Sequence, residues 1–324
     1  KRRRRASAHL LQKKGTDMPE VSSLASVAAT RSVLEAHGLA TKHALGQHFL
    51  ITDGVVGRIL STAEVGPDDV VLEVGPGIGT MTVALLDRAK AVIAVERDAD
   101  LPAVLAETCA GHGAPDAFKL LQKDALDLQE EDFAGMLPNK FVANLPYAVA
   151  ATLVLGYFEQ FPWLTQATVM VQKEVADRMC AQPGSKDYGA YTVKLGLQAK
   201  KTTRFPVSPG NFFPPPRVDS AVIRLDRCRP QYNGATLNDR EIWACRLIAD
   251  AAFASRRKTL SNSCRTYFKA LGAEGSKLAA YLPQLLEEAG IDGRRRGETL
   301  APKEFLELGC RLAASPIRYS AVKK

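Results

Sequence analysis

The sequence contains no C-x-x-C pair, no apolar run of about 20 residues and no internal repeat. Its six cysteines, at 109, 180, 228, 245, 264 and 310, are scattered. That spacing argues against a zinc site or a disulfide framework, so no metal is expected and a reducing, cytoplasmic setting is. Without a long apolar run, a membrane-crossing helix is not expected either. What is present is ordinary for a globular chain: 324 residues, 46% hydrophobic and 24% charged. That length suits one large domain and a smaller one.

The net charge of +8 is unevenly spread. Residues 1–17 carry seven Lys or Arg and one Asp; residues 18–226 carry 18 basic and 24 acidic side chains; residues 227–324 carry 18 basic and 10 acidic. An acidic middle and a basic C-terminal third point to a nucleic-acid partner held by the C-terminal part, because phosphate attraction supplies most non-specific affinity. The basic tail precedes Met18, a plausible start. It stays open between a non-native stretch, a nucleic-acid arm and an Arg-rich mitochondrial presequence.

Between about 68 and 172, apolar runs alternate with helical patterns, as in a parallel, doubly wound sheet covered on both faces. Strands are predicted at 70–74, 91–95, 118–121, 140–144 and 167–172, with two more at 201–207 and 220–225. Helices are predicted at 79–89, 99–110, 149–160 and 173–181. Beyond about 230 the pattern becomes amphipathic, with helices near 238–254, 257–270, 276–289 and 302–314. The chain divides into an N-terminal extension (1–42), a catalytic domain (43–228) and a helical, basic domain (229–324).

The stretch VVLEVGPGIGTM (70–81) reads as strand, glycine-rich turn and helix start. Gly75, Gly77 and Gly79 allow a tight turn and close approach to a ligand. A dinucleotide fingerprint would need its third glycine where Thr80 stands. The spacing E-x-G-x-G-x-G, beginning at Glu73, resembles motif I of S-adenosylmethionine-dependent methyltransferases. Glu96 ends the next strand, where an acid can accept from ribose hydroxyls. Asp124 follows the third strand, placed to reach an adenine amino group.

The fourth strand ends on Asn144, followed by Leu145, Pro146 and Tyr147. N-L-P-Y resembles the [N/D]-P-P-[Y/F] signature of methyltransferases acting on amino groups of nucleobases. Adenine N6 is a poor nucleophile because its lone pair is delocalised into the ring. The Asn144 side-chain oxygen and a backbone carbonyl, from Leu145 or Pro146, can each accept one N6–H and orient that lone pair. Tyr147 offers a stacking face worth about 1–3 kcal/mol per base, and Pro146 stiffens the turn.

Three further segments sharpen the likeness. HALGQHFLITD (43–53), NFFPPPRVDSAVIRL (211–225) and FASRRKTLSN (253–262) resemble, in order, segments of the ribosomal RNA adenine dimethyltransferases, and within them the small-subunit, kasugamycin-resistance branch. The likeness covers about 43–312. It implies an α/β fold: a doubly wound, seven-stranded class I methyltransferase sheet (Rossmann-like) with a smaller all-helical C-terminal domain. It also implies S-adenosylmethionine as cofactor, held by His48, Leu50, Gly75, Gly77, Glu96, Asp124 and Asn144. The implied substrate is two adjacent adenosines in the 3′-terminal hairpin of small-subunit rRNA, presented within a pre-ribosomal particle to a monomeric enzyme. Phe212 or Phe213 would face Tyr147 across the base, the other packing in the core. Arg256, Arg257 and Lys258 are candidate phosphate contacts, and Arg294, Arg295 and Arg296 form a second basic cluster; a solvated charge run is the plainer reading of both. Rival readings are a large-subunit rRNA adenine methyltransferase of the macrolide-resistance type and a non-catalytic ribosome-assembly factor. Intact Gly75 and Asn144 favour catalysis.

Overall fold

The computed structural model describes residues 20–42 and 46–317; the basic tail (1–17) and the first three residues of the 43–53 motif lie outside the described residues. In chain order the strands are β1 (Phe49–Leu50), β2 (Val70–Val74), β3 (Ala91–Glu96), β4 (Phe118–Gln122), β5 (Lys140–Asn144), β6 (Gln166–Gln172), β7 (Ala199–Val207), β8 (Phe212–Phe213), β9 (Ser220–Arg227), β10 (Gln231–Tyr232) and β11 (Ala235–Thr236). The helices are α1 (Val27–Ala36), α2 (Asp53–Ala63), α3 (Thr80–Leu86), α4 (Leu101–Thr108), α5 (Ala150–Gln160), α6 (Lys173–Met179), α7 (Ala190–Gly196), α8 (Asp239–Phe253), α9 (Leu260–Lys269), α10 (Gly272–Glu288) and α11 (Pro302–Ala314).

Seven strands form one sheet in the order β4-β3-β2-β5-β6-β9-β7. The five from β4 to β6 are parallel, and β9 runs antiparallel between β6 and β7. All six residues of β3 are buried, as an apolar strand covered on both faces requires. The strand order reverses direction at β2 and β5. These two pair only through Val71–Lys140 and Leu72–Phe141, whereas β2 and β3 stay paired as far as Val74–Val95. Hence β2 and β5 part towards their carboxyl ends and open a crevice at the switch point, where ligands bind in such sheets.

Two parts of the chain lock onto this sheet. Residues 20–42, expected as an extension, dock on its flank: Leu34 joins the core under α2 and α3, the Ser22 hydroxyl donates to the Thr80 carbonyl at 2.6 Å, and the Ser22 N–H donates to Asp53 at 2.8 Å. The C-terminal helices share a core built from Leu247, Leu260, Phe268, Leu282, Phe305 and Leu308, which also takes in Tyr188, just before α7, and Val193 of α7. The Tyr188 hydroxyl donates to the Leu300 carbonyl at 3.1 Å, and Arg246 reaches Glu159 at 2.8 Å. A reciprocal cap starts this module: Asn238 accepts from the Glu241 N–H, and Glu241 accepts from the Asn238 N–H.

The predicted strands all form. Helices expected at 79–89 and 99–110 shorten to α3 and α4, because the chain turns after Leu86 and after Thr108 to re-enter the sheet. Helices α1, α2 and α7 and the two-residue ladders β1·β8 and β10·β11 are additional.

Candidate active site

The crevice at the switch point is an open cleft beside the carboxyl ends of β2 and β5. Its wall includes His48, Leu50, Gly75, Gly77, Glu96, Asn144, Leu145, Pro146 and Tyr147, brought together from four separate segments. Asp124 is not among the residues that line it. Its carboxylate accepts from the Leu126 N–H at 3.0 Å and lies 3.4 Å from Arg97.

The glycine turn is shaped by conformation and by space. Gly75 has φ +70°, and its N–H donates to the Val95 carbonyl at 3.0 Å, fastening the turn to β3. Gly77 has φ +61°, and a Cβ there would stand 2.9 Å from the Phe49 ring. Any side chain would both strain the backbone and fill the cradle.

Two carboxylates flank this turn. Glu96 is buried, accepts from the Asp98 N–H at 2.8 Å and faces the N–H groups of Arg97 and Gly77; burial nevertheless pushes its carboxyl above the usual range. Glu73, completely buried, is pushed up to about 8 by that burial, with Glu96 adding to the rise and Thr82 opposing it. One of its oxygens, Oε2, has no partner among the described residues. Sequence reasoning used Glu73 only to mark the motif; its place at the start of E-x-G-x-G-x-G was the available signal. A buried acceptor beside positive-φ glycines, with a second carboxylate at the end of β3, fits a cofactor carrying both a ribose and a cation.

A pH dependence follows. Between the ordinary glutamate range and about pH 8, folded Glu73 keeps its proton while the unfolded chain releases it. The folded state then binds more protons, so stability falls as pH rises through this window. Thermal midpoints of the cofactor-free protein are expected to decline from pH 5 to pH 8, and Glu73→Gln is expected to flatten that decline. Parallel curves for the two proteins would contradict the assignment.

On the opposite wall, the Asn144 side-chain NH2 donates to the His48 carbonyl at 3.2 Å. A carbonyl only accepts, so this contact fixes which way the amide points and leaves Oδ1 as its free acceptor. The Pro146 carbonyl accepts from the Val149 and Ala150 N–H groups, both at 3.2 Å, at the start of α5. The His48 ring Nδ1 lies 2.7 Å from the Pro214 carbonyl and so carries the proton. Its ring stacks on Tyr147, centroids 6.0 Å apart and planes 25° from parallel.

The β1·β8 ladder pairs Phe49 with Phe213 and Leu50 with Phe212, stapling the 43–53 motif to the proline-rich loop. Phe212 is buried in the core. Phe213 is half-buried, with the Arg31 guanidinium 5.1 Å from its ring centroid. Neither lines the crevice.

The two basic clusters meet. The Leu260 N–H donates to the Arg295 carbonyl at 2.6 Å, and the Ser261 N–H to the Gly293 carbonyl at 3.0 Å. Arg295 is committed within the fold, to Glu304 at 2.5 Å and to the Thr299 carbonyl at 2.7 Å. Arg256 reaches Glu298 at 3.1 Å, Arg294 reaches Asp292 at 3.0 Å and Arg296 reaches Glu298 at 4.0 Å. Arg256, Arg257, Lys258, Arg294 and Arg296 are exposed, and Arg256 and Arg296 share Glu298.

Known proteins place this arrangement. The "Ribosomal RNA small subunit methyltransferase A" of Kineococcus radiotolerans is 40% identical over 303 residues, which cover 91% of this chain and 96% of that protein. Among solved structures, a dimethyladenosine transferase from Plasmodium falciparum matches with TM-score 0.68 and 25% identity, covering 81% of this chain and 96% of that one. The 23S rRNA methyltransferase ErmE matches with TM-score 0.60 and 26% identity, covering 82% and 99%. The family model for ribosomal RNA adenine dimethylase matches residues 38–307, which take in the glycine turn, the N-L-P-Y strand end and the basic helical module. With site, sheet and helical module matched together, the chain belongs to the ribosomal RNA adenine dimethylase family.

Proposed function

We infer that this protein transfers methyl groups from S-adenosylmethionine to N6 of two adjacent adenosines in the 3′-terminal hairpin of small-subunit rRNA, forming N6,N6-dimethyladenosine. The observation that carries this reading is the Asn144 amide, anchored through its NH2 to the His48 carbonyl with Oδ1 left free in the crevice. Identity of 40% to small-subunit methyltransferases over about nine-tenths of the chain supports the small-subunit branch.

The cofactor supplies an electrophilic methyl on a sulfonium. Gly75 and Gly77 would leave room for it, Glu96 would accept from its ribose, and His48, Leu50 and Asn144 would complete its pocket; Asp124, just past the end of the neighbouring strand β4, would be the residue nearest its adenine. Asn144 Oδ1 accepts one N6–H of the target adenine. Because the Pro146 carbonyl is taken by the start of α5, the Leu145 carbonyl accepts the other. Both acceptors turn the N6 lone pair out of conjugation and stabilise the positive charge that grows on nitrogen during transfer. The methylated nitrogen is then acidic and loses its proton to water, so no strong base is required. For the second transfer N6 has a single N–H, and one acceptor suffices. Tyr147 stacks on the base, and Phe213, the less buried of the two phenylalanines, is the candidate for the opposite side.

The acceptors act on an RNA held by the exposed basic surface of 256–258 and 294–296, in a cytoplasmic pre-ribosomal particle and by a single copy of the chain. Replacing both Arg257 and Lys258 by alanine is expected to weaken binding to small subunits. The slope of log affinity against log salt should fall by about one for each phosphate no longer neutralised. An unchanged salt slope, read by filter binding at several ionic strengths, would remove these residues from the RNA surface.

Labelled methyl transfer to unmethylated small and large subunits tests the reading. Label on small subunits supports it. Label confined to large subunits would move the protein to the macrolide-resistance branch, and none on either, with cofactor still bound, would leave an assembly role.

A further inference from the structure

Tyr147 is an aromatic wall of the crevice whose polar end reaches into the sheet. Its hydroxyl lies 2.7 Å from the hydroxyl of Ser220, which is completely buried. Ser220 opens β9 and is held from both sides, opposite Gln172 of β6 and opposite Val207 of β7. Its neighbours along β9, Ala221, Val222 and Ile223, are buried and apolar. A serine hydroxyl in that place would be an unmet polar group without Tyr147. The tyrosine ring, half-buried in a turn, has a second restraint in the stacked His48 ring.

We propose that Ser220 is a positioning residue for base recognition: its hydroxyl pins the Tyr147 hydroxyl, while His48 braces the ring plane, so that the stacking face is fixed before a purine base arrives. This rests on the reading of Tyr147 as the wall against which the adenine stacks. The hydrogen bond fixes the ring's far end and the stack limits rotation about its axis. The two together remove motions that the base would otherwise have to arrest on entry. Ser220 touches neither reacting atom; it acts through Tyr147. Since the basic surface sets particle affinity, the effect belongs in kcat rather than KM.

A double-mutant cycle tests this on intact small subunits, with Ser220→Ala, Tyr147→Phe and the pair. Each single change is expected to lower kcat by about 3- to 10-fold, the worth of one hydrogen bond. The pair should do no worse than the more damaging single, and cofactor affinity should hold in all three. Losses that multiply, or full turnover in Ser220→Ala, would overturn the proposal. Should Ser220→Ala fold poorly, Tyr147→Phe reads the same bond from the other side, and its full activity would overturn the proposal equally. Tyr147→Ala separates the underlying reading: undiminished turnover there would reject Tyr147 as the stacking wall, whatever the cycle shows.

Discussion

Asn144→Ala is expected to lower methyl transfer about 100- to 1,000-fold while cofactor affinity changes only a few-fold. That is the usual cost of removing one pre-oriented hydrogen-bonding group aimed at developing charge. Position explains the split. Asn144 ends β5 at the switch point, its NH2 is held by the His48 carbonyl, and its oxygen is the acceptor left over. Alanine removes that acceptor without emptying a core site, because Asn144 is only half-buried. Turnover and cofactor titration on the same preparation check the two effects separately. Equal losses in both would make Asn144 a cofactor ligand first and a base ligand second.

Gly75→Val is expected to do the reverse, with cofactor affinity falling at least about tenfold and turnover failing as a consequence. At φ +70° a branched side chain is strained by roughly 1–2 kcal/mol. Its Cβ would also stand 3.6 Å from the Pro146 ring, inside the crevice. The Cβ contact alone is tolerable; conformation and occupied space together drive the loss. Calorimetric titration with S-adenosylmethionine measures it, and a wild-type dissociation constant would show that the turn tolerates a side chain and that the cradle is misassigned.

The parts of the fold legible in the sequence were those with a strong local pattern. VVLEV and AVIAV are near-continuous apolar runs rich in β-branched residues, as strands covered on both faces are, and β2 and β3 lie where those runs do. What escaped had no such pattern. Helix α2, DGVVGRILSTA, carries two glycines and three β-branched aliphatic residues, and α7 is seven residues long. The β1·β8 ladder is two residues joined across more than 150 positions, which no local window registers.

The site divides similarly. Gly75 follows β2, and Glu96 and Asn144 end β3 and β5, so topology carried them into one crevice. Glu73 and Ser220 matter through burial: the spacing of the motif marked Glu73 but not its burial, and Ser220 acts through Tyr147, 73 positions away. For Phe212 and Phe213, adjacency on a strand sends the two rings to opposite faces. Which ring faces inward was decided by the pairing with Leu50 and Phe49. The basic clusters 256–258 and 294–296, some 40 residues apart, are tied together by backbone hydrogen bonds from Leu260 and Ser261 and by Glu298, which Arg256 and Arg296 share.

The most direct test is to incubate unmethylated small subunits with the protein and S-adenosylmethionine, excise the 3′-terminal hairpin and resolve its nucleosides by mass. The account predicts N6,N6-dimethyladenosine at two adjacent positions, and far less of it with Asn144→Ala over the same incubation. Product that stops at N6-methyladenosine, or dimethyladenosine undiminished in Asn144→Ala, would contradict it.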